Sequence, residues 1–397
     1  MKYGKEFFDR GLERWNTRSA KWDGCTEKFG VDPALDLLPM WVADMDFPAP
    51  DEVVEAVVQR AKTGAYGYIT KPDSLYQAVI HWQSQRYGWI PERDWIFFTP
   101  GVVPGFNMAY QCFTQPGEGI IIQTPSYYPF MDGVANNGRV MVDNPLLEHD
   151  GYWTMDFHLL EQQVKDPNNK LLMLSNPHNP TGRCWKREEL ERLGNLCADH
   201  GVILVADEIH GDLIMPGQTH VSVGTLSEKI LQNTILFNAP SKTFNLAGLQ
   251  TAYAIIPNPQ LRQAFSDRLT ANRIFNMNWF GQVALEAAYN HCADYVTGLC
   301  DYVGENMAYM QAYLQKHLPM VKMQPSEGTY LVWVDFRGTG MTPEQLEAFI
   351  IHKARIAVDF GTWFGSNGAG WLRFNLACPR SLVEEAMNRL TKAFEAM

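Results

Sequence analysis

The stretch Asn238–Thr251, "NAPSKTFNLAGLQT", decides how the rest of the chain is read. It continues the apolar run "TILFN" (234–238), and an apolar run entering a Pro/Ser turn is the pattern of a buried parallel strand meeting its C-terminal loop. Loops at that edge of an α/β sheet are where ligands bind. This one carries a lysine, Lys242, close to Phe244, Leu246 and Leu249. A lone lysine is ordinarily a solvated surface charge. Walled by apolar side chains, it is instead a desolvated amine of the kind that forms Schiff bases. The rest of the chain has to choose between the two.

The chain has 397 residues, 46% of them hydrophobic and 19% charged, which suits one large and one smaller globular domain. A net charge of −11 argues against nucleic acid or an anionic membrane surface as the main partner. A few local cations and helix N-termini can still hold a small anion. The cysteines (Cys25, Cys112, Cys184, Cys197, Cys292, Cys300, Cys378) are odd in number and contain no C-x-x-C pair. Neither a disulfide framework nor a metal site is expected, and a reducing, cytoplasmic compartment fits. The first residues, "MKYGKEFFDRGLERW", have no apolar core of a signal peptide, and no run is long enough for a membrane span.

Helical periodicity marks 51–62 and 73–88. Thereafter "GIIIQTP", "KLLMLSNP", "GVILVADE" and "TILFNAPSK" alternate with helical segments such as 186–201, closed by Gly201. Buried strands alternating with helices predict a mainly parallel α/β/α sheet domain. From about 290 the pattern becomes a long helix (294–318), "GTYLVWVDFR", a helix near 342–354, "GWLRFNLA" and a last helix from about 380. That reads as a smaller α+β domain. The expected division is 1–48 as the N-terminal part of the small domain, 49–288 as the large domain, and 289–397 as the C-terminal small domain, with the site between the two domains.

Each candidate side chain has two readings. Asp207, in "VADEIHGD", is either a strand-end turn residue or a buried carboxylate awaiting a cation such as a protonated ring nitrogen. "SNPHNPTG" (175–182) is either a rigid turn or a rigid mount that aims the Asn179 amide at a ligand oxygen. "TPGVVPG" (99–105) opens a helix whose free N–H groups suit a phosphate. Tyr127, just past another strand, either joins the core or stacks on a flat ligand. Arg373, in "GWLRFNLACPRS", either binds a carboxylate ligand or belongs to a structural salt bridge.

Taken in order, N-P-x-N-P-T-G, D-E-I-H, S-K-T-F-N-L-A-G and a C-terminal Arg resemble the fold-type I pyridoxal-phosphate (PLP) enzymes of the class I/II aminotransferase superfamily. "LPMWVADMDFPAP", "YGYITKPDSLYQAV", "TPGVVPG" and "NLAGLQTAYAII" are similar to the MalY/PatB-type C–S lyases, the cystathionine β-lyases, within it. The resemblance implies PLP on Lys242, Asp207 on the pyridine nitrogen, and Asn179 and His210 on the side of the ring hydroxyl. It implies Tyr127 on the ring face, and Ser241 with the N–H groups of Val102 and Val103 on the phosphate. Arg373 would take the substrate α-carboxylate, and Tyr68 would reach the phosphate of a neighbouring subunit in a homodimer with composite sites. The implied activity is β-elimination from cystathionine or related S-substituted cysteines, with aminotransfer as the alternative. His210 stands where many aminotransferases carry tyrosine, Gln250 where they carry a phosphate-binding arginine, and Ala239 where they carry serine. Phosphate neutralisation is therefore expected to be weaker.

Overall fold

Apolar side chains two residues apart build the large sheet, and both of its faces are covered. The computed structural model describes residues 2–274 and 277–397. Its strands are β1 (Leu38–Pro39), β2 (Ile96–Thr99), β3 (Gly119–Ile122), β4 (Val140–Asp143), β5 (Leu147–His149), β6 (Tyr152–Thr154), β7 (Asn169–Ser175), β8 (Ile203–Asp207), β9 (Thr234–Asn238) and β10 (Ala252–Ile255). They are followed by β11 (Lys322–Met323), β12 (Leu331–Asp335), β13 (Ile356–Ala357), β14 (Asp359–Phe360) and β15 (Trp371–Asn375). The seven-stranded sheet runs β2-β10-β9-β8-β7-β3-β4. Leu172, Leu174, Leu204, Ala206 and Leu236 fill the core on one side. Leu171, Met173, Val205, Ile235 and Phe237 fill the core on the other. This is the period-two alternation of strands buried on both faces.

Every described pair in this sheet is parallel except those of β10, which runs antiparallel to both β9 and β2. Hydrophobic periodicity does not encode strand direction, so this exception was not legible. Two reversals restore the common direction for β2. The C-terminal ends of β2, β3, β7, β8 and β9 therefore share one edge, and the loops leaving them meet there.

The C-terminal region forms an antiparallel sheet of order β11-β12-β15-β14 against the long helix Ala293–His317 and the last helix Arg380–Glu395. The helix expected near 342–354 is an α-helix only over Pro343–Phe349. It continues as a π-helical turn, Ile350–Ala354, ended by Arg355 in the left-handed region. The N-terminal segment joins this part through β1, which pairs in parallel with β13.

Residues 41–47 then cross toward the large sheet and are gripped on both sides. Asn375 Nδ2 donates to the carbonyls of Val42 and Asp44, and Asn245 Nδ2 donates to those of Met45 and Phe47. Asp46, buried, accepts from Lys21 Nζ at 2.7 Å and Trp22 Nε1 at 2.8 Å. A buried carboxylate is tolerated when every lone pair finds such a donor. The strap is thus fixed by side chains from three separate parts of the chain.

Candidate active site

The shared strand edge opens into a cavity of about 170 Å³ that Lys242, Asp207, Asn179, His210, Tyr127, Val102, Val103 and Ser241 help to line. Each arrives there for a local reason. Asp207 is the last residue of β8, with the same parity as Val205, so it shares the face on which helix Val102–Phe113 packs. That helix lies close to the sheet because residue 105 is glycine; a Cβ there would stand 2.6 Å from the Phe237 ring. Its first turn presents Val102 and Val103, whose N–H groups lie among the four a helix leaves free. Tyr127 caps the next helix, Tyr128–Asn136. Asn179 is held by its own N–H, which donates to Ser175 Oγ at 3.1 Å.

Lys242 is the desolvated amine rather than the surface charge. Its Nζ donates to the Ala43 carbonyl at 2.7 Å. Burial, with the Arg373 cation second, brings its pKa down to about 8. The walls are not the ones the sequence suggests. Phe244 and Leu246 point into the core, where Phe244 packs on Trp82 at 5.7 Å between ring centroids. Ala43, Tyr127 and His210 line the cavity with the lysine instead.

Asp207 is 6% exposed and accepts from the Ile209 N–H at 3.0 Å. Among the described residues no ion pair is formed to it, and burial raises its carboxyl to about 7. Such a carboxylate is half-satisfied, and a cationic N–H donor would complete it. His210 is buried with an unpartnered Nδ1, and burial holds its pKa well below the usual range, so the ring is neutral. Tyr127 is half-buried and its phenol is raised by desolvation, so it too stays neutral.

Arg373, on β15, is 3% exposed and reaches the site through Asn179, whose Oδ1 accepts from Nη1 at 2.9 Å. It is also ion-paired with Asp359 on β14. The structural salt bridge and the position beside the cavity therefore coexist. Gln250 and Ala239 line the cavity as well; Gln250 is in the left-handed region, with φ of 47°.

Sequence reasoning missed several contributors. The Ala43 carbonyl accepts from both Lys242 Nζ and the Tyr330 hydroxyl, and the Trp41 carbonyl accepts from Arg373 Nη2. Backbone carbonyls carry no sequence signature, although "WVADMDF" itself stood out. Within that motif Phe47 is fully buried against Phe8 and Tyr302. Tyr68 lies apart from this cavity and is fully exposed, beside Tyr66, Met277, Trp279 and Phe280.

An unpaired buried carboxylate, a half-buried amine, an aromatic face and a helix N-terminus within one cavity fit a flat ligand bearing an aldehyde, a protonated ring nitrogen and an anionic group. The unpartnered His210 Nδ1 adds a place for a ring hydroxyl. No group of three or more metal-ligating side chains occurs among the described residues, and no helix there is long and apolar enough to cross a membrane.

Comparison with known proteins agrees with this fit. Residues 36–390 match the family model "Aminotransferase class I and II". The chain is 42% identical over 386 residues to cystathionine beta-lyase PatB of Bacillus subtilis, covering 97% of this chain and 99% of that protein. It is 30% identical over 392 residues to protein MalY of Escherichia coli, covering 98% and 99%. Among solved structures, cystalysin of Treponema denticola, which contains a pyridoxal 5'-phosphate cofactor, superposes with a TM-score of 0.95 at 38% identity, covering 98% of each chain.

Proposed function

Because the chain belongs to the class I and II aminotransferase family, we propose that it is a pyridoxal-phosphate-dependent C–S β-lyase that cleaves cystathionine or related S-substituted cysteines to a thiol, pyruvate and ammonia. One observation carries the chemistry: the Lys242 amine, its pKa lowered to about 8 by desolvation, shares a cavity with the Asp207 carboxylate, which among the described residues lacks a paired cation. The choice of lyase over aminotransferase rests on the extended likeness to PatB and cystalysin.

Lys242 holds the cofactor through its amine, and Asp207 keeps a proton on the ring nitrogen. Tyr127 covers one ring face, and Asn179 and neutral His210 serve the hydroxyl side. Ser241 and the N–H groups of Val102 and Val103 hold the phosphate. Bound there, PLP supplies an electron sink for the pair left on Cα when its proton departs. Arg373 takes the substrate α-carboxylate and so fixes which Cα bond faces Lys242. Lys242, released from its covalent role and neutral, removes the Cα proton. That electron pair forms the Cα–Cβ double bond as the C–S bond breaks, and the sulfur leaves with its electrons as thiolate. Water then converts the three-carbon remainder to pyruvate and ammonia.

Cystathionine or an S-alkyl cysteine, supplied alone, is expected to give thiol, pyruvate and ammonia continuously and in equal amounts. An aminotransferase would stop after a single turnover and resume only with an added keto acid. That outcome, read by coupled pyruvate and thiol assays, would decide for aminotransfer.

The active species is a homodimer in which Tyr68 of one copy completes the phosphate site of the other. Its supporting observation is the exposed aromatic surface around Tyr66, Tyr68 and Trp279. Equal mixtures of inactive Tyr68→Ala and Lys242→Ala proteins are expected to recover activity, up to about a quarter of the wild-type level by random pairing. Verified subunit exchange without recovery would remove the shared site. The cysteines are unpaired, which fits a cytoplasmic location.

A further inference from the structure

We propose that Asp359 is a resident carboxylate that sets the affinity of this site for carboxylates: it holds the Arg373 guanidinium in the free site and must yield it when substrate binds. The proposal rests on the reading of Arg373 as the anchor of the substrate α-carboxylate.

Asp359 and Arg373 are Cα partners in the antiparallel pair β14–β15. Directly opposed residues project to the same face at close range, so the pair is imposed by the sheet register. Both side chains are 3% exposed. The donors of the guanidinium can be followed one by one. Asp359 Oδ2 and the Trp41 carbonyl both accept from Nη2, the latter at 3.3 Å. Asn179 Oδ1 accepts from Nη1, while Nε is buried and unpartnered.

A guanidinium binds a carboxylate bidentately through two parallel N–H groups on one edge. Its two such edges are Nε with Nη2, and Nη1 with Nη2. Both contain Nη2, and both hydrogens of Nη2 are committed. An incoming carboxylate therefore displaces Asp359 from Nη2, displaces the longer Trp41 carbonyl contact and shares the guanidinium with Asp359, or settles for the single N–H of Nε. Sharing is costly, because two carboxylates on one guanidinium leave an uncompensated negative charge in a buried site. Beyond Arg373, the cations acting on Asp359 are Lys28 and Lys242, and neither is hydrogen-bonded to it. Lys28 lies over the Trp363 ring, 4.4 Å from its centroid, and Lys242 is bonded to Ala43.

The consequence is selectivity against molecules that offer a carboxylate alone. An amino-acid substrate gains a second attachment through its amine and can meet the cost of displacing Asp359. Pyruvate, left at the end of the reaction, cannot. Asp359 thereby weakens retention of the keto-acid product.

The test is calorimetric titration of propionate, which has the carboxylate and no amine, into PLP-loaded wild-type protein, Asp359→Asn and Asp359→Ser. The expected result is at least about tenfold tighter propionate binding in both variants. KM for an S-alkyl cysteine should fall in parallel, with a smaller change in kcat. If Asp359 merely braced Arg373, the variants would bind propionate equally or more weakly and KM would rise; either result overturns the proposal. Asp359→Ser serves if the asparagine variant does not fold, and thermal melts identify that case. Arg373→Gln should abolish propionate binding. Binding that survives it would refute the anchor reading itself, separately from the role of Asp359.

Discussion

Lys242→Ala is expected to lower turnover of an S-alkyl cysteine by at least about 10⁴-fold, the upper range for loss of one positioned general base. The loss should reach that extreme because the residue has two duties: covalent attachment of PLP and removal of the Cα proton. Its burial suits the second. A solvated lysine is almost wholly protonated near neutrality and cannot accept a proton. With its pKa lowered to about 8, Lys242 is neutral in a useful fraction once substrate has released it, so kcat, which reports groups of the enzyme–substrate complex, should climb as pH rises through that value. Exogenous methylamine should restore part of the proton transfer in the alanine variant, because the vacated volume adjoins a cavity. Borohydride reduction of the wild type should fix the chromophore to the peptide containing Lys242. A label elsewhere, or turnover in Lys242→Ala within tenfold of wild type, would place the chemistry on another residue.

The same lysine illustrates what the sequence could and could not reveal. "TILFN" followed by "APSK" was sufficient to place a buried strand and a ligand-facing turn, because strand burial and turn chemistry are local properties. Asn179, Asp207 and Tyr127 were legible for the same reason: each stands where an apolar strand gives way to its C-terminal loop. Contacts between distant segments were not legible. Nothing in "NLAGLQ" says that the amine meets the carbonyl of residue 43, some two hundred positions away, or that Phe244 turns toward Trp82 instead. Asp359 was overlooked because "RIAVDFG" looks like another apolar strand end. Its meaning comes from register with Arg373, which depends on how β14 and β15 align. Local patterns identified the loops; tertiary pairing determined which partner each side chain received.

Asp207→Asn is expected to retain PLP and to lose about 10²–10³-fold in kcat, the cost of removing one group preorganised for transition-state charge. The amide is nearly isosteric and its oxygen can still accept from the Ile209 N–H, so the loop after β8 should keep its shape. What it lacks is negative charge. A protonated ring nitrogen next to a neutral amide loses its proton more readily, and the ring then withdraws fewer electrons from Cα as the proton leaves. The cofactor-free protein should respond in the opposite sense. Burial raises the Asp207 carboxyl from the ordinary 3.8 to about 7. A folded pKa above the unfolded one means that folding favours the protonated form. Stability is then fullest below about 3.8 and falls as pH rises through about 7, by a few kcal/mol at most. Asparagine cannot ionise and escapes that loss. Above pH 7, Asp207→Asn without PLP should therefore melt higher than the cofactor-free wild type, while with PLP the order should reverse. Near-normal turnover would reduce Asp207 to a strand-end turn residue. Identical melting of the two cofactor-free proteins at every pH would mean that Asp207 is solvated when the cofactor is absent.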